Sequence, residues 1–262
     1  GTNEPPDYAI TSPNSWNRSN CITRAATEEP GMSGMSIVTY DRHIELDIKT
    51  KEPFDRIWAF HHREAPLLTV PDSLSDGICC PALDNDEMTL IPLSRPVEQI
   101  RLCASVADSS FAHSAFYGFS LENGRSGVLY HSFGINGNTY AAINRNPQIV
   151  RQASGLCPDL VIVSLGTNDS YGASFDPADA DVQITRLIDS IRRNMPASVL
   201  LLTTPMEHCR RIRSKGRTYR KPNPNACAMR ECILRQAALY RLPVWDFYAA
   251  AGGDGAMGRW AD

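Results

Sequence analysis

Of the whole chain, residues 158–171, PDLVIVSLGTNDSY, leave the fold the least freedom. The apolar run 159–165 is too short for a buried helix and rich in branched side chains. It therefore reads as a strand buried on both faces, the pattern of a parallel sheet. Such sheets bind ligands just beyond the carboxyl ends of their strands, and there the run breaks into Gly166-Thr167-Asn168-Asp169. A carboxamide at that rim can point at an oxygen gaining negative charge. The competing role for these four residues is a turn in which Asn168 or Asp169 caps the backbone, which both residue types do for local reasons.

The sequence around this stretch repeats the strand and helix alternation of a parallel α/β layer. Asn146-Pro147 supplies a cap and first-turn pair for a helix through Ile149, Val150 and Ala153, closed by Cys157-Pro158. Asp176-Pro177 opens another, with Ile184, Leu187, Ile188 and Ile191 as its apolar stripe. Asp179 and Asp181 stand in its first turn and Arg192 and Arg193 in its last, matching the helix dipole. Residues 198–204 read as a second buried strand, and Asn223-Pro224 starts a helix whose Met229, Ile233, Ala237 and Tyr240 share a face. Residues 243–247 read as a third strand.

The first half has a different rhythm. Residues 1–35 are rich in Asn, Pro, Ser and Thr and read as an irregular lead-in. Residues 43–49 alternate, with Ile44, Leu46 and Ile48 on one face. Further short strands are predicted at 56–61, 67–70, 88–92, 99–106 and 115–122, which suggests an antiparallel β-sandwich of roughly seven or eight strands. Asn123-Gly124 is a hairpin signal joining 119–121 to 128–130.

A formal net charge of −3 on 262 residues exerts no overall pull toward nucleic acid or an anionic membrane. No run approaches the roughly 20 apolar residues of a membrane span. The eight cysteines show no C-x-x-C pair, which argues against zinc. Cys157, Cys227 and Cys232 read as buried thiols acting as small hydrophobes, disulfides stay open, and the adjacent Cys79 and Cys80 have no functional account.

With these residues in place, the C-terminal half resembles the SGNH (GDSL-like) hydrolase family. Residues 164–169, SLGTND, are similar to that family's third conserved block. Gly134-Ile135-Asn136-Gly137-Asn138-Thr139 is similar to its second, a glycine at the start of a helix. Residues 201–205, Asn223-Pro224-Asn225-Ala226 and Val244-Trp245-Asp246 resemble a secreted bacterial subgroup. Its members carry a β domain between the first and second blocks, and several are peptidoglycan or carbohydrate O-acetylesterases. The resemblance implies an α/β fold, a three-layer SGNH-like parallel sheet over 127–262, with an inserted antiparallel β-sandwich over 36–126. It also implies a secreted or periplasmic serine esterase that deacetylates a cell-wall or other glycan without cofactor or metal. Its expected partner is a glycan or acetyl-ester substrate, with no nucleic acid and no membrane span.

Ester hydrolysis by such a mechanism needs an activated serine, a histidine that carries its proton, and donors for the oxyanion of the tetrahedral intermediate. The resemblance assigns the donors to the backbone N–H of Gly137 and the side chain of Asn168. The family's Gly-Asp-Ser nucleophile block and Asp-x-x-His base block do not occur between Gly1 and Asp262. Asp108-Ser109 falls in the β-rich part and Asp189-Ser190 in a helix, so nucleophile and base are not identifiable. The expectation is a chain cut short at both ends relative to a complete enzyme, or a degenerate relative.

Other candidates are set against ordinary roles. His61 and His62 point to opposite faces of a strand and cannot share a metal there. His131 and His208 fall near strand rims. Residues 210–221 hold the chain's one basic cluster, which either lines a cleft or is a solvated loop. A non-catalytic glycan binder is the rival function, presenting Trp58, Phe116 or Tyr117 to sugar rings, unless those aromatics fill the core.

Overall fold

The computed structural model describes residues 7–23, 28–78, 87–106, 112–214 and 216–260, which fall into two compact units, 1–134 and 135–262. Cys79 and Cys80 lie outside the described residues.

The first unit is one antiparallel sheet of six strands: β1 (Tyr8–Thr11), β2 (Asn17–Asn20), β3 (Met35–Thr39), β4 (His43–His61), β5 (Met88–Ser105) and β6 (Ser114–Glu122). Its order is β1-β4-β6-β3-β2, with β5 along the other side of β4. The alternation read from 43–49 is borne out: Ile44, Leu46 and Ile48 are fully buried and stand opposite Ala104, Leu102 and Ile100. Register shifts between Lys49 and Arg56 then move the inward phase from even to odd positions, and Ile57 and Ala59 face the core. Such bulges bend a strand sharply. Both arms of β4 and β5 therefore contribute to a single core with Phe54, Ile91, Leu93 and Phe116.

This is why, among the described residues, six strands stand where seven or eight were expected, joined in one sheet. The pairs 43–49 with 56–61 and 88–92 with 99–106 are each one long strand, and 67–70 contributes a lone bridge from Thr69 to Cys103. The lead-in holds two edge strands with no apolar alternation. The loop between them is fastened by Asn14, whose side chain accepts from Glu45 N at 2.9 Å and donates to His43 O at 2.7 Å. The Asn123-Gly124 signal makes only a local turn, with Asn123 Oδ1 accepting from Arg125 N. Val128 beyond it is 94% exposed and unpaired. Phe116 and Tyr117 are buried and Trp58 half-buried, so the first two are core residues rather than a sugar platform.

The second unit runs α1 (Tyr140–Asn144), α2 (Gln148–Ala153), β7 (Leu160–Ser164), α3 (Pro177–Asn194), β8 (Val199–Thr203), β9 (Cys209–Ser214), β10 (Arg217–Pro222), α4 (Asn225–Tyr240), β11 (Val244–Trp245), α5 (Phe247–Ala250) and α6 (Ala256–Trp260). Strands β11-β8-β7 form the expected parallel sheet, in register from Leu160↔Val199 to Ser164↔Thr203. Asp176 caps α3 by accepting from Ala178 N at 2.9 Å. The stripe Ile184, Leu187, Ile188 and Ile191 packs with Met229, Ile233 and Ala237 of α4 against Val163, Leu200 and Leu202. That is one helical layer. On the other face Leu160, Ile162 and Val199 remain about half exposed, so among the described residues the second layer of a three-layer fold is not supplied. Cys232 is buried as expected, whereas Cys157 is exposed. It ends the turn after α2 in a left-handed conformation (φ 47°) and so serves as a stop signal rather than a core residue.

No helix among the described residues is long and apolar enough to cross a membrane.

Candidate active site

The site is built where β7 ends. Gly166 turns the chain with φ +111°, and a Cβ there would stand 3.0 Å from Met229 Cγ and 3.3 Å from Pro205 Cδ. Only glycine meets both conditions without strain. The turn then closes on itself, with Ser170 N donating to Gly166 O at 3.0 Å and Ser170 Oγ to the same carbonyl at 2.7 Å. Asn168 and Asp169 are left projecting from it.

These two neighbours grip a second loop. Asn168 Nδ2 donates to Asn138 O at 2.9 Å, and Asp169 Oδ1 accepts from Tyr140 N at 2.9 Å. The gripped loop is a turn closed by Asn138 N donating to Ile135 O at 3.0 Å, with Gly137 in a left-handed conformation (φ +89°). It leads into α1, which Thr139 caps by accepting from Ala142 N at 3.0 Å. The structure thus brings Gly137 and Asn168, the two predicted site residues, to one place. Both are exposed. One N–H of the Asn168 carboxamide is used on Asn138 O and the other remains for a ligand.

Asp169 carries the electrostatic load of the clasp. Burial pushes its carboxyl up to about 6, against the lowering effect of the backbone N–H groups of Tyr140, Asp169 and Gly166. Its Oδ2 is buried without a partner among the described residues, as is the hydroxyl of Tyr140, whose phenol burial also pushes up. Sequence reasoning had Asn168 or Asp169 capping the backbone as the alternative to an oxyanion role. Asp169 does cap, and it caps the loop that holds Gly137.

A second support was missed. Asn223, buried, donates through Nδ2 to Ser170 O at 2.8 Å and lies 3.1 Å from His208 Nε2, while its N–H donates to His208 O at 2.9 Å. The His208 ring stacks on Tyr171 with centroids 6.1 Å apart. Burial pulls the His208 imidazole below its usual range, with the Met206 backbone and Glu207 opposing. His208 thus lies against the Asn223 support, its Nδ1 buried without a partner among the described residues. His131 belongs to the first unit, stacked on Phe133, and His61 is a hydrogen-bonded core histidine whose Nε2 lies 2.8 Å from Thr89 Oγ1. At the far edge, Asp246 is held below the carboxylate range by a bidentate Arg230, and Thr204 Oγ1 bonds to it at 3.0 Å.

A parallel sheet whose carboxyl rim offers a glycine turn and a carboxamide side by side places polar groups where such sheets take their ligands. The GDSL-like lipase/acylhydrolase family matches residues 107–262, more than half of the chain, and the chain belongs to that family. No curated protein matches the sequence. Among solved structures the chain is similar in fold to a peptidoglycan O-acetylesterase, with a TM-score of 0.68 at 16% identity over 96% of this chain and 68% of that one. A possible lipase from Chitinophaga pinensis gives 0.36 at 23% identity over 46% of this chain and 52% of its own. An active-site mutant of a family two carbohydrate esterase from Clostridium thermocellum gives 0.30 at 11% identity over 89% and 88%.

Proposed function

We propose that this chain is the oxyanion-binding part of a serine esterase of the SGNH type, which removes acetyl groups from a cell-wall or other glycan outside the cytoplasm. The observation that carries the reading is the clasp: Asn168 Nδ2 donates to the carbonyl of Asn138, the residue after Gly137, so the two proposed donors stand in neighbouring loops joined by one bond. When the carbonyl of an acetyl ester becomes tetrahedral, its oxygen gains charge there. Two donors held in advance stabilise that charge without reorganising. The reading leaves nucleophile and base unassigned within residues 1–262, and no cofactor takes part. On this reading the antiparallel unit, 1–134, is the counterpart of the β insert of the secreted subgroup, and 135–262 is the α/β domain. Membership of the acylhydrolase family and the fold shared with a peptidoglycan O-acetylesterase support this reading.

The test is hydrolysis of 4-nitrophenyl acetate and of an acetylated glycan by the protein carrying its flanking gene sequence, with and without Asn168→Ala. The variant is expected to lose about 10²–10³ in kcat with little change in KM. An unchanged kcat removes Asn168 from the mechanism, and no hydrolysis by the parent sinks the esterase reading.

A further inference from the structure

The basic cluster, read from the sequence as a cleft wall or a solvated loop, is regular structure rather than a loop. Among the described residues, strands β9 and β10 pair only with each other as a two-stranded ribbon, from Cys209↔Pro222 to Ser214↔Arg217. Residues 209–222 contain seven basic residues and no acidic one, in a chain whose formal net charge is −3. Of these, Arg210, Arg211, Arg213, Arg217, Arg220 and Lys221 lie among the described residues, and none of the six has a carboxylate partner there. The register sets Arg211 directly opposite Arg220 and Arg210 directly opposite Lys221. Directly opposed residues project to the same face, so each face carries a cross-strand pair of like charges, an arrangement that destabilises a hairpin on its own.

We propose that this ribbon is a docking arm for an anionic glycan, its paired cations taking the carboxylate or phosphate groups of the polymer. The proposal rests on the esterase reading for its choice of a glycan and names the charge class of that substrate. Three features point this way. Arginines in opposed pairs suit oxyanion groups that accept two N–H bonds in a plane. Tyr219, 48% exposed, lies on the face that holds Arg210, Arg217 and Lys221, so a ring suited to stacking on a sugar stands among cations. The ribbon is also rooted at the candidate site, because its flanking residues His208 and Asn223 are bonded to each other and Asn223 to Ser170, two residues beyond Asn168. A membrane surface is less well matched, since the tip sequence Ser214-Lys215-Gly216 has no apolar wedge.

The test measures binding of the full chain to polygalacturonate and to its methyl ester, which keeps the backbone and removes the charge. The expected result is binding to the acid form only, weakening about tenfold or more from about 50 to about 200 mM salt. The double variant Arg220→Glu/Lys221→Glu places carboxylates opposite Arg211 and Arg210, so it keeps or strengthens the ribbon. It is expected to melt no lower than the parent and to lose about tenfold or more in affinity. Equal affinity for acid and ester, or equal affinity of parent and variant, overturns the proposal. So does tighter binding to phosphatidylglycerol vesicles, which would make the ribbon a membrane contact, or to duplex DNA at matched charge. Binding is read without hydrolysis, so the two readings fail separately. Ribbon-dependent binding beside intact acetyl esters in the complete protein sinks the esterase reading alone. Esterase activity with charge-independent binding sinks the docking arm alone.

Discussion

Asp169→Asn is the substitution whose outcome depends most directly on the geometry of the clasp. The amide keeps an acceptor for Tyr140 N and nearly the same shape, and removes only the charge. Burial raises the carboxyl from 3.8 to about 6, roughly two units, and each unit corresponds to about 1.4 kcal/mol. The ionised form therefore costs the folded state about 3 kcal/mol. Below the unfolded value of 3.8 both states hold the proton and nothing is lost. Between 3.8 and about 6 the folded state keeps a proton the unfolded chain has shed, so this group's contribution falls as pH rises. Above about 6 the full cost is present. Urea unfolding of parent and variant side by side, from about pH 4 to about pH 7, should thus show the variant gaining about 3 kcal/mol on the parent. Taking the difference cancels every other titrating group. A difference that stays flat across that range, or that moves against the variant, would mean that the Tyr140 amide at the start of α1 outweighs burial. The account of Asp169 as an ionised residue held at a cost would then be wrong.

Two further outcomes follow from the supports of the loop. Gly166→Ala forces a Cβ into a left-handed backbone and to 3.0 Å from Met229 Cγ, and it should lower stability by about 1–3 kcal/mol in the same urea assay. Asn223→Ala strands the buried Ser170 carbonyl and frees the ribbon's base. It should cost about 1–3 kcal/mol, and hydrogen exchange should rise at residues 168–171 and 208–223 together rather than at the ribbon alone.

The parallel sheet was legible because three apolar runs, each followed or preceded by a proline-capped helix, leave little else for residues 158–247 to form. The nearness of Gly137 and Asn168 was expected from the resemblance of 134–139 and 164–169 to two family blocks, and the bond of Asn168 to Asn138 O joins those two loops. What escaped was set by contacts distant in sequence. Nothing local in 49–56 announces that two short strands are one bent strand, because the bulges are decided by pairing with β5. Nor does a run of arginines announce a ribbon, since like charges directly opposed count against pairing. Asn223 reads as a helix-entry residue, and only the fold shows it reaching 53 positions back to Ser170.

The open face of the parallel sheet changes what holds the site in place. A parallel strand normally has neighbours on both sides and layers on both faces, and the turn at its end inherits that rigidity. Here β7 pairs only with β8 among the described residues, and Leu160 and Ile162 on its outer face are about half exposed. The strand that carries Asn168 is thus an edge strand, and pairing alone fixes its end on one side only. The remaining constraint comes from across the chain: Met229 and Pro205 closing on Gly166, Asn223 on Ser170, and the paired bonds of Asn168 and Asp169 to residues 138 and 140. Because those last two bonds come from adjacent residues, they set orientation as well as distance. An acceptor at residue 169 therefore does what a single bond from Asn168 would not, since one bond would leave the Gly137 loop free to turn about Asn168.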